Sequence, residues 1–397
     1  MAYSLLTEFN INIICFSSET GTTLNEKLTD CYRQFAESYL KKGYSKGSII
    51  KQTVFISAAN QSEYFQSKQK LLSCAKDFFE VIPPTSIISQ SPVEGSLVVE
   101  FVHAHGVRPN ELLYKHNDET SWLVVQRGMV KMIIAVGISN PAVLNDMAGQ
   151  SNVAFSQLQN ILTEEEMEFS DIIRQWNYIE QITTTVSHND GNSQHYQIFN
   201  DVRSKYYRQA SFNNGFPAAT GIGMDFGGVI IDIIAAKLDK GWSVVALKSP
   251  VQLDAYSYTS EVLAENHVMK DFSRTTPKFE RAKILITPEK KWIFISGTAA
   301  IVGQSSIQQP SAEHQTEMTI QNILRLISSE SLLKHGVSPG EKSIVTYFRV
   351  YVKFSEDIQK VRETCLRYFP NVPMSFVVAD ICRPELLVEI EGLAVLQ

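Results

Sequence analysis

The chain has 397 residues, 44% apolar and 20% charged, with a formal net charge of −6. That composition excludes a largely disordered chain, a collagen-like repeat and a disulfide scaffold. The acidic balance, with no Lys/Arg run longer than two residues, gives no general electrostatic reason to bind nucleic acid.

Leu28, Cys31, Phe35 and Tyr39 recur at steps of three and four and predict a helix. The β-branched run 47–57 follows as a strand, then a helix over 61–76, a strand in PPTSIIS and the alternating strand SLVVEFVHA (96–104). The same order returns with VKMIIAVG (130–137) as a strand, a helix over 150–162, the strand DIIRQWNYIEQI (171–182) and a helix at about 195–209. FPAATGIG (216–223) then leads into GGVIIDIIA (227–235). A third round runs from KWIFISG (291–297) through a helix over 313–329, the strand SIVTYFRVYV (343–352) and a helix over 355–368. It ends on MSFVVAD and ELLVEIEGLA (385–394). Extra strands, TSWLVVQR (120–127) and AKILIT (282–287), stand before the second and third rounds.

The expected fold class is therefore α/β (α+β), with repeats at 1–107, 115–237 and 281–397 and a connector at 238–280 that has its own short strands. Each round makes a small mixed sheet with two helices on one face. Strands such as SIVTYFRVYV are apolar on both sides, so the other sheet face must also be buried. Three copies in one chain can bury it against each other around a pseudo-threefold axis.

Five cysteines (Cys15, Cys31, Cys74, Cys365, Cys382) include no CxxC pair. The N-terminal apolar stretch lacks a basic lead, and no run of about 20 apolar residues occurs. The expectation is a cytoplasmic protein with no membrane span. His103 and His105 have no Asp, Glu or Cys partners at ligand spacing, so no metal is expected. GIGMDFGG is no dinucleotide fingerprint, and no other cofactor motif occurs.

IIKQTVFI and RPELLVEIEGLA resemble the central and closing strands of the RidA/YjgF superfamily, whose subunit is about one such round and which forms homotrimers. WNYI (176–179), YQIFNDVR (196–203), FPAATGIG, FISGTAAIVG (294–303), HQTEMTIQNI (314–323) and ICRPELLVEIEG (381–392) are similar to the chorismatases, chorismate-converting enzymes built on RidA-like domains. The resemblance implies three RidA/YjgF-like (chorismate mutase-like) units forming an intramolecular pseudo-trimer. Such a chain has less need to trimerise, though it can still dimerise.

Glu389 and Glu391 project to one face of the last strand, flanked there by Leu387 and Leu393. A carboxylate among leucines is desolvated, which raises its pKa and suits a general acid; a solvated acidic edge is the plainer alternative. Aligned closing strands place Ile230 opposite Glu389 and Asp232 opposite Glu391, while the register of Glu100 in the first round is ambiguous. Arg203 follows an aromatic-rich helix and could fork a carboxylate or simply face solvent. Gly221 and Gly223 either let backbone approach a ligand or mark a bulge.

The resemblance implies that Glu389 is the catalytic acid and that Arg203 binds a substrate carboxylate. It further implies a pocket from Tyr196, Ala219, Thr220, Gly221, Tyr258, Gly297, Thr298, Cys382 and Glu391. Gly297 with Cys382 resembles the 3-hydroxybenzoate-forming subtype. Pro277 and Arg281 match the family's PxFxRA motif, whereas Tyr-Gly-Pro is missing and Gln304 stands for a histidine. Thr85, Ala219 and Met374 replace the arginine of RidA imine deaminases. The expected activity is removal of the enolpyruvyl group of chorismate, or a close analogue, as pyruvate. A non-catalytic RidA-like binder of small molecules and a hydrolase or deaminase of another unsaturated metabolite are the alternatives.

Overall fold

A computed structural model describes residues 10–42, 45–93, 97–117, 120–139, 146–188, 191–259, 275–307, 311–337 and 340–397. Part of the expected connector, 260–274, lies outside the described residues.

The first unit runs β1 (Asn10–Ser17), α1 (Leu24–Ser38), β2 (Ile49–Ile56), α2 (Gln61–Phe78), β3 (Thr85–Ser89), β4 (Ser91–Pro92) and β5 (Leu97–His105). The second runs β6 (Leu112–His116), β7 (Ser121–Arg127), β8 (Val130–Ile138), α3 (Met147–Glu164) and β9 (Ile172–Glu180). It continues with the hairpin β10 (Thr185–His188) and β11 (Gly191–Gln194), then α4 (His195–Tyr207), β12 (Ala218–Met224) and β13 (Val229–Lys237). The third opens with β14 (Ser243–Leu247), β15 (Ala282–Ile286), β16 (Lys291–Ala299) and the short pair β17 (Ile301–Val302) and β18 (Ser305–Ser306). Helices α5 (Ala312–Leu326) and α6 (Ser329–Lys334) follow, then β19 (Ser343–Val352), α7 (Ile358–Tyr368), β20 (Met374–Val378) and β21 (Val388–Leu396).

Local chemistry sets the helix starts. Thr23 and Glu26 form a capping box on α1, Asp146 caps α3, and Ser311 caps α5. The helix expected over 313–329 stops at Leu326 because Ser328 caps the separate helix α6. Periodicity does not announce β1, β6 or the β10–β11 hairpin.

The three sheets repeat one topology. Their shared cores read β1-β5-β2-β3, β8-β13-β9-β12 and β16-β21-β19-β20. In each, the central strand pairs antiparallel with the closing strand and parallel with the strand after the second helix. The second and third sheets extend outward through β7-β6 and β15-β14. The stretch expected as a connector thus contributes β14 as an edge strand of the third sheet.

Strands β2, β9 and β13 are buried almost throughout, as sheets covered on both faces require. Helices cover one face, and residues from all three sheets join one large apolar cluster on the other, including Val54, Phe101, Tyr178, Ile230, Tyr351 and Leu393. Separate clusters lie under the helices of the second and third units.

Polar contacts across this shared core follow one cyclic rule. Lys51 of the first unit pairs with Asp232 of the second at 2.9 Å. Arg174 of the second pairs with Glu391 of the third at 2.6 Å, and Arg349 of the third with Glu100 of the first. Hydroxyls repeat the cycle: Ser86 donates to Asp232, Thr220 to Glu391 and Ser375 to Glu100. The ladders settle the register of Glu100. Val98 faces Phe55, as Ile230 faces Tyr178 and Glu389 faces Tyr351. Glu100 therefore corresponds to Asp232 and Glu391, and only the third unit carries an acid at the Glu389 position.

Candidate active site

Strands β12 and β16 zip the second and third sheets together. Ala219 N–H donates to Ser296 Oγ at 2.9 Å, and Gly297 N–H to Thr220 Oγ1 at 3.0 Å. At the end of β12, Gly223 N–H donates to Asp380 O at 2.8 Å and Ile222 bridges Ile381, which brings Cys382 to the seam. A cavity of about 270 Å³ opens there.

Helix α4 supplies one wall. It has no side-chain cap, but His195 and Tyr196 N–H donate to Thr184 O and Ile182 O in the turn before it. Tyr196, Asn200 and Arg203 stand at i, i+4 and i+7 and share one helical face. All three line the cavity. Asn200 Oδ1 accepts from Arg203 Nη2 at 2.5 Å and aims the guanidinium. The buried Nε of Arg203 has no hydrogen-bond partner among the described residues.

A second arginine lines the same cavity. Arg281 donates through Nη2 to Leu253 O at 2.6 Å and to Tyr258 Oη at 2.7 Å. Its buried Nε is likewise without a partner among the described residues. Arg383 lies over the ring of Tyr258, 5.3 Å from its centroid, and donates to Gln304 O and Ser306 Oγ. Gln304 spends its side-chain oxygen on Thr259 N–H and Oγ1 and so braces this wall from outside the cavity lining.

Glu389 shares this cavity. Its residue is 4% exposed, yet it lines the cavity. Burial pushes its carboxyl up to about 8, with the nearby Glu391 charge adding to the shift and Arg174 and Arg281 opposing it. The desolvating neighbours differ from those expected. Leu393 shares the central face, but Leu387 packs into the helix-side core of the third unit, because β21 starts only at Val388. A Cβ at Gly297 would overlap Glu389 Oε1, so a larger residue there must displace that carboxyl. A Cβ on Gly221 would lie 2.9 Å from Tyr196 Cε2. Burial pushes the Cys382 thiol up to about 12, so it lines the cavity as a neutral, polarisable group.

The structure thus brings Glu389, Arg203, Tyr196, Ala219, Gly221, Tyr258, Gly297 and Cys382 to one cavity. Thr220, Thr298 and Glu391 lie outside its lining. Thr220 and Glu391 belong to the central polar cycle, and Thr298 Oγ1 donates to Ser296 O. Arg281 and Asn200 were missing from the expected pocket. Arg281 had a signal in the PxFxRA motif; Asn200 had one in its helical spacing to Tyr196 and Arg203. Among the described residues no group of three His, Cys, Asp or Glu could hold a metal. His103 instead bonds Ser48 and His105.

Residues 113–235 match the family model described as chorismatase FkbO/Hyg5-like, N-terminal. A 3-hydroxybenzoate synthase from Streptomyces hygroscopicus is 31% identical over 238 residues, covering 57% of this chain and 64% of that protein. This chain's likeness is to the chorismatases. A chorismatase from the same organism is 32% identical over 225 residues, covering 56% of this chain and 61% of the relative. The matched stretch therefore spans less than two thirds of these chorismatase-type relatives. A crystal structure of a chorismatase superposes with a TM-score of 0.67 at 21% identity, covering 97% of this chain and 99% of that one. The chorismatase fold extends over nearly the whole chain. No described helix is long and apolar enough to cross a membrane.

Proposed function

We propose that this chain removes the enolpyruvyl group of chorismate, or of a close analogue, as pyruvate. One observation carries the reading. A buried carboxyl held near neutral pH in its protonated form faces a cavity where two arginines each keep a buried N–H unpartnered. A protonated acid is what an enol ether needs, and two guanidiniums suit a substrate with two carboxylates.

Glu389 donates its proton to the enol-ether methylene, which becomes a methyl group. The electron pair of the double bond forms the new C–H bond and leaves an oxocarbenium carbon. Water adds to that carbon, the ring oxygen takes up a proton as its bond to the carbon breaks, and pyruvate leaves together with a ring diol; loss of the neighbouring ring hydroxyl as water, with the ring proton beside the retained oxygen, then gives the aromatic 3-hydroxy acid. Arg203 and Arg281 hold the carboxylates, and strand β12 positions the ring through Ala219 and Gly221. With Gly297 and Cys382 present, 3-hydroxybenzoate is the proposed aromatic product. No step calls for a metal or an organic cofactor.

We also infer that the three sheet-and-helix units are arranged about an approximate threefold axis, as in a trimer fused into one chain. The repeated strand order and the cyclic acid–base–hydroxyl contacts support this. The proposed units are 1–107, 115–237 and 281–397, with β14 joining the third. A monomer with this internal threefold, in a reducing cytoplasm, is the proposed working form; nucleic acid has no place in it.

Purified protein incubated with chorismate should release pyruvate in a coupled assay, with the aromatic product resolved by chromatography. No pyruvate at high enzyme concentration would sink the proposal. Glu389→Gln should lower kcat by about 10²–10⁴-fold, the usual contribution of a general acid. Retained substrate binding by this variant would separate an enzyme from a simple binding protein.

A further inference from the structure

The acid and the cavity belong to the second and third units, but the charge behind the acid is closed by the first. Glu391, two residues from Glu389 on the same strand face, accepts from Arg174 Nη2 at 2.6 Å, Arg349 Nη1 at 2.8 Å, Trp176 Nε1 at 2.8 Å and the Thr220 hydroxyl. Arg349 is shared. Its Nη1 also reaches Tyr178 Oη and Tyr351 Oη, while Nε and Nη2 go to Glu100. Glu100 additionally accepts from Tyr347 Oη and Ser375 Oγ, both at 2.5 Å. The result is a buried row, Glu100–Arg349–Glu391–Arg174, with two carboxylates and two guanidiniums.

We propose that Glu100, from the unit without a candidate site, is a positioning residue for Glu389: by neutralising Arg349 it keeps this row balanced, so that no spare cation behind the acid draws off its proton. The proposal rests on the acid role assigned above. Without Glu100, Arg349 and Arg174 would share the single carboxylate Glu391, and Arg174, which already favours ionised Glu389, would be less fully compensated. Glu100 suits the task as a charged group. Burial disfavours its ionisation, but Arg349 and the Ser375 and Tyr347 hydroxyls hold its carboxyl below the usual range. The other charged or titratable groups that line the cavity with Glu389 are Arg203, Arg281, Arg383, Glu385, Tyr196, Tyr258 and Cys382, with Tyr351 across the strand pair. Glu100 changes none of these, so its effect should be seen as a shift in the acid's titration.

The test uses the full chain and two readouts: the alkaline limb of the pH–rate profile for pyruvate release, and the 13C NMR titration of the Glu389 carboxyl, assigned by its loss in Glu389→Gln. Glu100→Gln should move both toward acid by about half to one pH unit, and the charge-conserving Glu100→Asp should leave them in place. Arg349→Met, which leaves Glu100 and Glu391 in excess, should move them the other way. The double variant Glu100→Gln/Arg349→Met should return them to the wild-type position. A folded Glu100→Gln with an unmoved limb overturns the proposal. If single variants do not fold, a shifted limb in the double variant overturns it equally. Should wild-type protein release no pyruvate, the functional reading fails by itself, and the NMR titration still decides the role of Glu100.

Discussion

Arg203 and Arg281 reach the cavity from different supports, Asn200 in one case and Tyr258 with a backbone carbonyl in the other. Each has one buried donor left over, and a buried donor without an acceptor is costly. A substrate carboxylate would relieve that cost at both. Arg203→Met and Arg281→Met should each raise KM by about 10–100-fold, the equivalent of one lost charge-assisted hydrogen bond. Steady-state kinetics with chorismate would show it, and an unchanged KM would remove that arginine from the site. Gly297 has a different part, since its missing side chain is the space occupied by Glu389 Oε1. Gly297→Ala should displace the acid and lower kcat by about 10²-fold, the scale expected of a misplacement near 1 Å. Retention of full kcat would mean that the carboxyl works from another position.

At the level of elements, helix α4 and strand β12 do most to shape the cavity. The i, i+4, i+7 stripe of α4 could be read from spacing, and FPAATGIG marked itself by its small residues. Close packing explains that composition: Gly221 lies under the Tyr196 ring. Gly221→Ala should push the ring into the cavity and raise KM about tenfold or more, with little change in the far-ultraviolet circular dichroism. An unaltered KM would show that the ring can yield. Other elements were not legible. The edge strand β6 has no strict alternation of buried and exposed residues; a short strand was expected within the connector, but its place at the edge of the third sheet was not, because its pairing with β15 is a tertiary choice. Glu391 illustrates the limit of strand parity, which places it beside Glu389 on one face. It could not show that four donors from two other strands and its own neighbour consume that carboxylate.

Across the whole molecule, the buried acid links stability to pH. Glu389 keeps its proton up to about pH 8 when folded, against an ordinary value of 4.5. The native state therefore binds more protons than the unfolded state between those values, and stability from this group is complete below the lower value and falls as pH rises through the interval. Urea unfolding at pH 5.5 and pH 8.5 should show the decline, and Glu389→Gln should reduce it; an equal decline in the variant would assign it elsewhere. The central ion pairs are a separate matter. Removing one partner of a buried pair costs roughly 3–5 kcal/mol, whereas the exposed Arg367–Glu313 pair is expected to be worth about 0–1 kcal/mol.

Periodicity alone determined the three rounds of strands and helices, the doubly apolar central strands and the common face of Glu389 and Glu391, because those properties are local and repeat every two or four residues. Tertiary structure decided which round meets which. It aligned Glu100 with Asp232 and Glu391, left the Glu389 position acidic in the third unit only, and brought Arg281 to the same cavity as Arg203. These outcomes depend on strand register and on contacts between residues hundreds of positions apart, where no local pattern records the partner.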